Sequence, residues 1–179
     1  MKVGVILVAL CYLVISSPVR CAAQTGSERE YELKAAVLYH IIEYVEWPKD
    51  STPADPGAIH IGLLGNIPYA EAMQVLNGKT LQGRKLIVKR IEKPQDAGEC
   101  QVVFISSSEK PRLAQIISEF KSRPILTVSE IEGFAERGGV VNLIAGQNRI
   151  NMEINREVAK ESRLSISSQL LKLAKIYPR

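Results

Sequence analysis

Cysteine, histidine and tryptophan are scarce in this chain of 179 residues, which holds three, two and one of them. Cys11 and Cys21 fall close to the start, leaving Cys100 as the one cysteine of the remaining chain, so a framework of internal disulfides is excluded there. Two histidines, His40 and His60, leave little room for histidine-based acid–base schemes, and with Cys100 they show no paired spacing of the zinc-site kind. Positive charge is not clustered either. No run of Lys or Arg exceeds two residues, so the pI near 9.0 does not amount to a nucleic-acid surface. No apolar stretch reaches the roughly 20 residues of a membrane-spanning helix. What is present is ordinary globular material: 46% hydrophobic and 23% charged residues, enough for one compact domain.

The first residues are read as a leader. Lys2 precedes an apolar run from Val3 to Ile15, and Ser16, Ser17, Pro18, Val19 and Arg20 break it before Cys21-Ala22-Ala23. That order is the layout of a secretory signal peptide, with cleavage expected after Ala23. Losing Lys2 and Arg20 takes the net charge from +4 to +2. The expected division is residues 1–23 as signal peptide, 24–29 as a loose polar lead-in and 30–179 as the domain. The mature protein is then periplasmic, with no membrane span of its own.

Periodicity supplies the elements. From Glu30 to Trp47 there is no Gly or Pro, and Leu33, Val37, Ile41 and Tyr44 recur at helical spacing, with Glu32, Lys34, His40 and Glu43 assigned to the outer side. Pro48 disfavours helix at Trp47 and is expected to stop it there. Strands are predicted at Ile59–Leu64, Lys85–Ile91, Val102–Ile105, Ile125–Val128 and Val140–Ile144, the last forming a hairpin with Arg149–Ile154. Helices are predicted at Pro68–Leu76, from Ser106 through Phe120, after Asn155, and from Ser167 through Ile176, with Ser129 and Glu132 capping a short helical turn. Alternation of strand and helix implies an α/β fold: a single three-layer domain with a largely parallel sheet, an antiparallel C-terminal hairpin and C-terminal helices.

Chemistry is hard to place. His60 begins a strand, whereas ligands of open α/β sheets lie beyond the carboxyl ends of strands. Ser106-Ser107-Ser108 lacks the flanking glycines of a nucleophile elbow. Receiver-domain chemistry would need an acceptor aspartate at that same strand end, and serines stand there instead. The reading is a non-enzymatic protein with no catalytic residues, no cofactor and no metal. The triplet has two uses open to it: Ser106 with Glu109 fits a helix cap, and its hydroxyls and amides suit an anion or small polar ligand. Asn66, Ser106, Ser107 and Thr127 are the candidate ligand-binding residues. Tyr31 and Trp47 are the candidate partner anchors on the first helix, since such aromatics concentrate at interface hot spots.

Several segments in order resemble the YfiR family of periplasmic regulators. They are Leu33-Lys34-Ala35-Ala36, Tyr44-Val45-Glu46-Trp47-Pro48, Ile61-Gly62-Leu63-Leu64-Gly65, Cys100-Gln101-Val102-Val103-Phe104-Ile105 and Ile125-Leu126-Thr127-Val128-Ser129. Gly133-Phe134-Ala135, Gly138-Gly139, Glu153-Ile154-Asn155 and Ser167-Ser168-Gln169-Leu170-Leu171-Lys172-Leu173-Ala174 complete the set. The resemblance implies a protein that binds the periplasmic domain of an inner-membrane diguanylate cyclase and represses it, keeping cyclic di-GMP and biofilm formation low. The expected contact lies on the first helix near Trp47 and on the loop Gly133 to Gly139, with Gly133, Phe134, Gly138 and Gly139 as its candidate residues. Relatives with a redox-linked disulfide carry a second cysteine around the position of Gly62, which this chain lacks. One alternative accompanies this reading, a periplasmic small-molecule carrier or sensor; a homodimer is the default assembly in either case.

Overall fold

The computed structural model describes residues 26–50, 55–147 and 149–178. The expected signal peptide lies outside the described residues. The first helix, α1, spans Gly26–Glu43, so residues 26–29 of the expected lead-in form its opening turns. It ends four residues before Trp47. Pro48 acts only on its neighbour, and strand pairing claims the chain earlier: β1, Val45–Glu46, pairs antiparallel with β9, Ser165–Ile166. The Ser167 amide donates to the Tyr44 carbonyl at 2.9 Å and closes this join.

The central sheet follows the predicted strands closely. Its members are β2 (Ala58–Leu64), β3 (Thr80–Leu81), β4 (Arg84–Ile91), β5 (Val102–Ile105), β6 (Leu126–Ser129), β7 (Val141–Gly146), β8 (Arg149–Asn155) and β10 (Lys175–Tyr177). They lie in the order β10-β8-β7-β6-β5-β2-β4-β3. β4, β2, β5, β6 and β7 run parallel, and β7 with β8 forms the expected antiparallel hairpin. The short helices are α2 (Ala70–Gln74), α3 (Leu113–Phe120), α4 (Arg156–Glu161) and α5 (Ser168–Leu173).

Side-chain alternation divides the core into two layers. Ile61, Leu63 and Phe104 face α1 and α2, where Leu38, Ile41 and Met73 meet them. Leu64, Val103 and Ile105 face α3, where Leu113, Ile116 and Phe120 pack. The three-layer α/β architecture with its mostly parallel sheet is therefore the observed one.

Four local expectations are corrected. Lys34, assigned to the outer side, is buried at 3% exposure. The last helix stops at Leu173, and Lys175–Tyr177 becomes a strand parallel to β8, because the sheet offers its edge there. Residues after Ser129 form turns in place of a capped helix; the Ser129 hydroxyl accepts from the Ile131 amide at 3.1 Å and donates to the Ile105 carbonyl at 2.7 Å. Finally, the segment after β5 opens as a 3-10 helix, Ser107–Arg112, before α3.

Candidate functional site

The strand order turns back on itself between β2 and β5: the chain goes from β2 outward to β4, then returns to β5 on the other side. Such a switch point leaves a crevice beyond the carboxyl ends of the two strands. Here the loops after β2 and β5 are stitched together. The Ser106 hydroxyl donates to the Asn66 carbonyl at 2.6 Å, and the Asn66 amide donates to the Ser108 hydroxyl at 2.9 Å. Ser106 also caps the 3-10 helix by accepting from the Ser108 amide at 3.3 Å. Glu109 takes no part in that cap and instead pairs with Arg112.

Beside this crevice, towards β7, opens a cleft of ≈ 700 Å³. The N-terminal half of α1 supplies one wall through Glu30, Tyr31 and Lys34, and Pro68 and Tyr69 extend it. The connection from β6 to β7 supplies Glu130, Glu132, Gly133 and Glu136, while Leu143, Ile144, Ala145 and Glu153 of the hairpin close the far side. Five of these lining groups are carboxylates and one is a lysine, so the cleft is acidic.

Glu130 organises the wall. Its carboxylate accepts from the Tyr31 hydroxyl at 2.8 Å, from the Ser107 amide at 3.1 Å and from the Lys34 ammonium. Lys34 also pairs with Glu30 at 2.6 Å. Burial works against the charge of Glu130, but the hydrogen bond and charge of Lys34 outweigh it, with help from Ser107 and Tyr31, and hold the carboxyl below its ordinary range. Tyr31 is pushed the other way: burial first, then the charge of Glu130, raises its phenol well above the ordinary value. The amide at the serine triplet, a natural anion site, is thus occupied by a carboxylate of the same chain.

The other expected site residues are scattered. Thr127 lies mid-strand, accepts from the Val140 amide at 3.1 Å and borders a smaller pocket of ≈ 260 Å³ between α3 and α4, away from Asn66, Ser106 and Ser107. Trp47 donates its indole N–H to the Gln101 carbonyl at 3.1 Å, at the start of β5. Tyr31 sits at the carboxyl ends of the strands, so α1 separates the two aromatics by roughly 20 Å at 1.5 Å per residue. Tyr31 and Gly133 share the cleft. Phe134 is wholly buried, and a Cβ on Gly139 would stand only 2.0 Å from its ring, so these two residues pack the β6–β7 connection from inside. Gly138 borders the smaller pocket.

Sequence reasoning misplaced Lys34 and passed over Glu130 and the acidic β6–β7 connection. Two signals were available. Lys34 stands three residues after Tyr31 and four before Leu38, on the buried stripe, and Glu130 directly follows a buried strand at the end where α/β folds build sites. Among the described residues, no group of three or more His, Cys, Asp or Glu is placed to hold a metal ion, and no helix is long and apolar enough to cross a membrane.

The sequence model of the YfiR/HmsC-like family matches residues 31–175. The chain belongs to this family. YfiR/HmsC-like proteins are, in general, periplasmic regulators of diguanylate cyclases, a regulatory and not a catalytic family. Among solved structures, a conserved domain protein of Vibrio cholerae O1 biovar El Tor is similar at 15% identity and a TM-score of 0.54, over 82% of this chain and 59% of that one. An ABC domain of Streptococcus pneumonia in complex with L-Trp is similar at 11% identity and the same TM-score, over 79% of this chain and 59% of that one. Both likenesses concern the fold, and this YfiR/HmsC-like chain spans about three fifths of each protein's length.

Proposed function

We propose that this YfiR/HmsC-like protein is exported through a leader cleaved after Ala23 and acts as a non-enzymatic repressor. It docks on the periplasmic domain of an inner-membrane diguanylate cyclase and favours that domain's inactive arrangement, which lowers cyclic di-GMP and biofilm formation. Repression of this kind needs only a higher affinity for one of two arrangements of the sensor. The observation that carries the reading is the family match over residues 31–175. The acidic cleft walled by Tyr31, Glu130 and Gly133 is the docking site we assign, because its groups are held in place before any partner arrives. Trp47, at the other end of α1, would be a second and separate anchor.

The experiment is to measure cellular cyclic di-GMP after deletion of the gene and after restoration. Deletion should raise it, wild type should return it to the starting level, and a Glu132→Lys/Glu136→Lys variant should restore it poorly. An unchanged level on deletion, across several growth and stress conditions, would overturn the repressor reading.

A second reading has an observation in its favour. A cleft of ≈ 700 Å³ beside the switch point has the volume and position of a small-molecule site, and a fold relative was solved with L-Trp. Ligand-dependent thermal stabilisation of the isolated protein would support it.

A further inference from the structure

The far wall of the cleft contains an interrupted strand edge. β7 pairs with β8 over its whole length, through Gly146, but pairs with β6 only at Val141 and Asn142. Beyond Asn142 the β6 chain has turned away into Glu130 and the connection that follows. Ile144, Ala145 and Gly146 are exposed there.

The phase of the hairpin says which backbone groups point into the opening. The Asn155 amide donates to the Val140 carbonyl at 2.9 Å, so residues 140, 142, 144 and 146 are those bonded to β8. Antiparallel pairing alternates, and the residues between them direct their N–H and C=O groups to the opposite side. Ala145 therefore presents its backbone to the cleft, past the last β6 pairing. An incomplete edge of this sort is a template for one more strand. The surrounding charge selects what that strand carries: with Glu130 already paired to Lys34, Glu132 and Glu136 line the β6 side.

We infer that an extended, basic segment of a partner protein adds as a strand to β7 at Leu143–Gly146, its backbone bonding to Ala145 and its Lys or Arg side chains meeting the cleft carboxylates. The inference rests on this cleft being the partner site, and it specifies how that partner is gripped.

The test uses the mature protein and a fluorescein-labelled peptide alternating Lys with Val, beside a peptide alternating Glu with Val. The basic peptide should bind, more weakly as salt rises, and the acidic one should not. Ala145→Pro removes the N–H aimed at the cleft while leaving the β8 ladder intact, and should weaken binding by at least about tenfold. Glu132→Lys/Glu136→Lys should weaken it comparably. Failure of the basic peptide to bind wild type, or equal binding by Ala145→Pro, overturns strand addition. Amide exchange on the wild-type protein covers the case of a misfolded proline variant: the peptide should slow exchange across Leu143–Gly146, and protection confined to other segments overturns the inference. A cyclase domain that docks normally on folded Ala145→Pro would also overturn it while leaving cyclase docking intact. A cyclase domain that ignores wild type would instead remove the repressor reading, with the peptide result unaffected.

Discussion

Lys34 and Glu130, 96 residues apart in the chain, form an ion pair buried on both sides, with side-chain exposures of 4% and 8%. It fastens α1 to the end of β6 and sets the wall of the cleft. Removing one partner of such a pair leaves the other charge desolvated, which costs about 3–5 kcal/mol. Lys34→Met should therefore lower stability by that order at neutral pH, measured as the urea midpoint. The deficit should shrink under acid, where Glu130 takes up a proton.

Stability should be pH-dependent on two sides, with opposite signs. The Glu130 carboxyl is held low, so its contribution is whole above the ordinary carboxylate range and is lost as pH falls through its depressed value. The Tyr31 phenol is pushed up by burial and by Glu130, so its contribution is whole below its ordinary value of 10.0 and is lost as pH rises through the raised one. Denaturant midpoints taken from acid to alkaline pH should show a neutral plateau between two declines. Glu130→Gln should flatten the acid decline.

Gly139 has no room for a methyl group, since the Phe134 ring occupies the space a Cβ would take. Gly139→Ala should cost about 1–3 kcal/mol through overpacking. Combining it with Phe134→Leu should recover part of the loss. A double variant no more stable than the sum of its parts would show that the ring is not the obstacle.

Cys100 is buried, and burial raises its thiol above the ordinary value, so it reacts poorly as it stands. A Cβ at Gly62 would lie 3.0 Å from its sulfur. That approach suits a bridge, so Gly62→Cys should oxidise to an internal disulfide and add about 2–4 kcal/mol. Thiol titration of the unfolded, oxidised variant checks it: two free thiols would mean that the Ile91 side chain, also 3.0 Å away, prevents closure.

Trp47→Phe should cost about 1 kcal/mol, the net value of the indole hydrogen bond. The Gln101 carbonyl still accepts from the Leu126 amide at 2.9 Å, so it is not left unsatisfied. Thermal melts read this, and a loss much larger than that would mean the indole ring itself is a core element.

The strands were legible because buried parallel strands are short apolar runs bounded by turns, as Val102–Ile105 is. The caps at Asn155 and Ser167 were legible for a local reason: each side chain bonds an amide two or three residues on. What escaped depends on distant partners. Nothing near Lys34 announces Glu130, and nothing near Val45 announces Ile166, so periodicity alone carries the helix four residues too far and turns the lysine outward. The cleft was half visible, through Tyr31, Ser107 and Gly133, but its acidic side depends on how β6 parts from β7, which only the sheet register reveals.

The small β1–β9 sheet bears on the order of folding. Val45 meets Ile166, so the residue just past the first helix is held by one near the end of the chain. Contacts of such long separation are slow to form, because the loop between them must close first. A chain delivered N-terminus first has to hold the apolar edge at Val45 without its final partner until β9 arrives. Shortening the chain before Ser165 would leave that apolar surface uncovered, and the shortened product should aggregate instead of folding to a smaller domain.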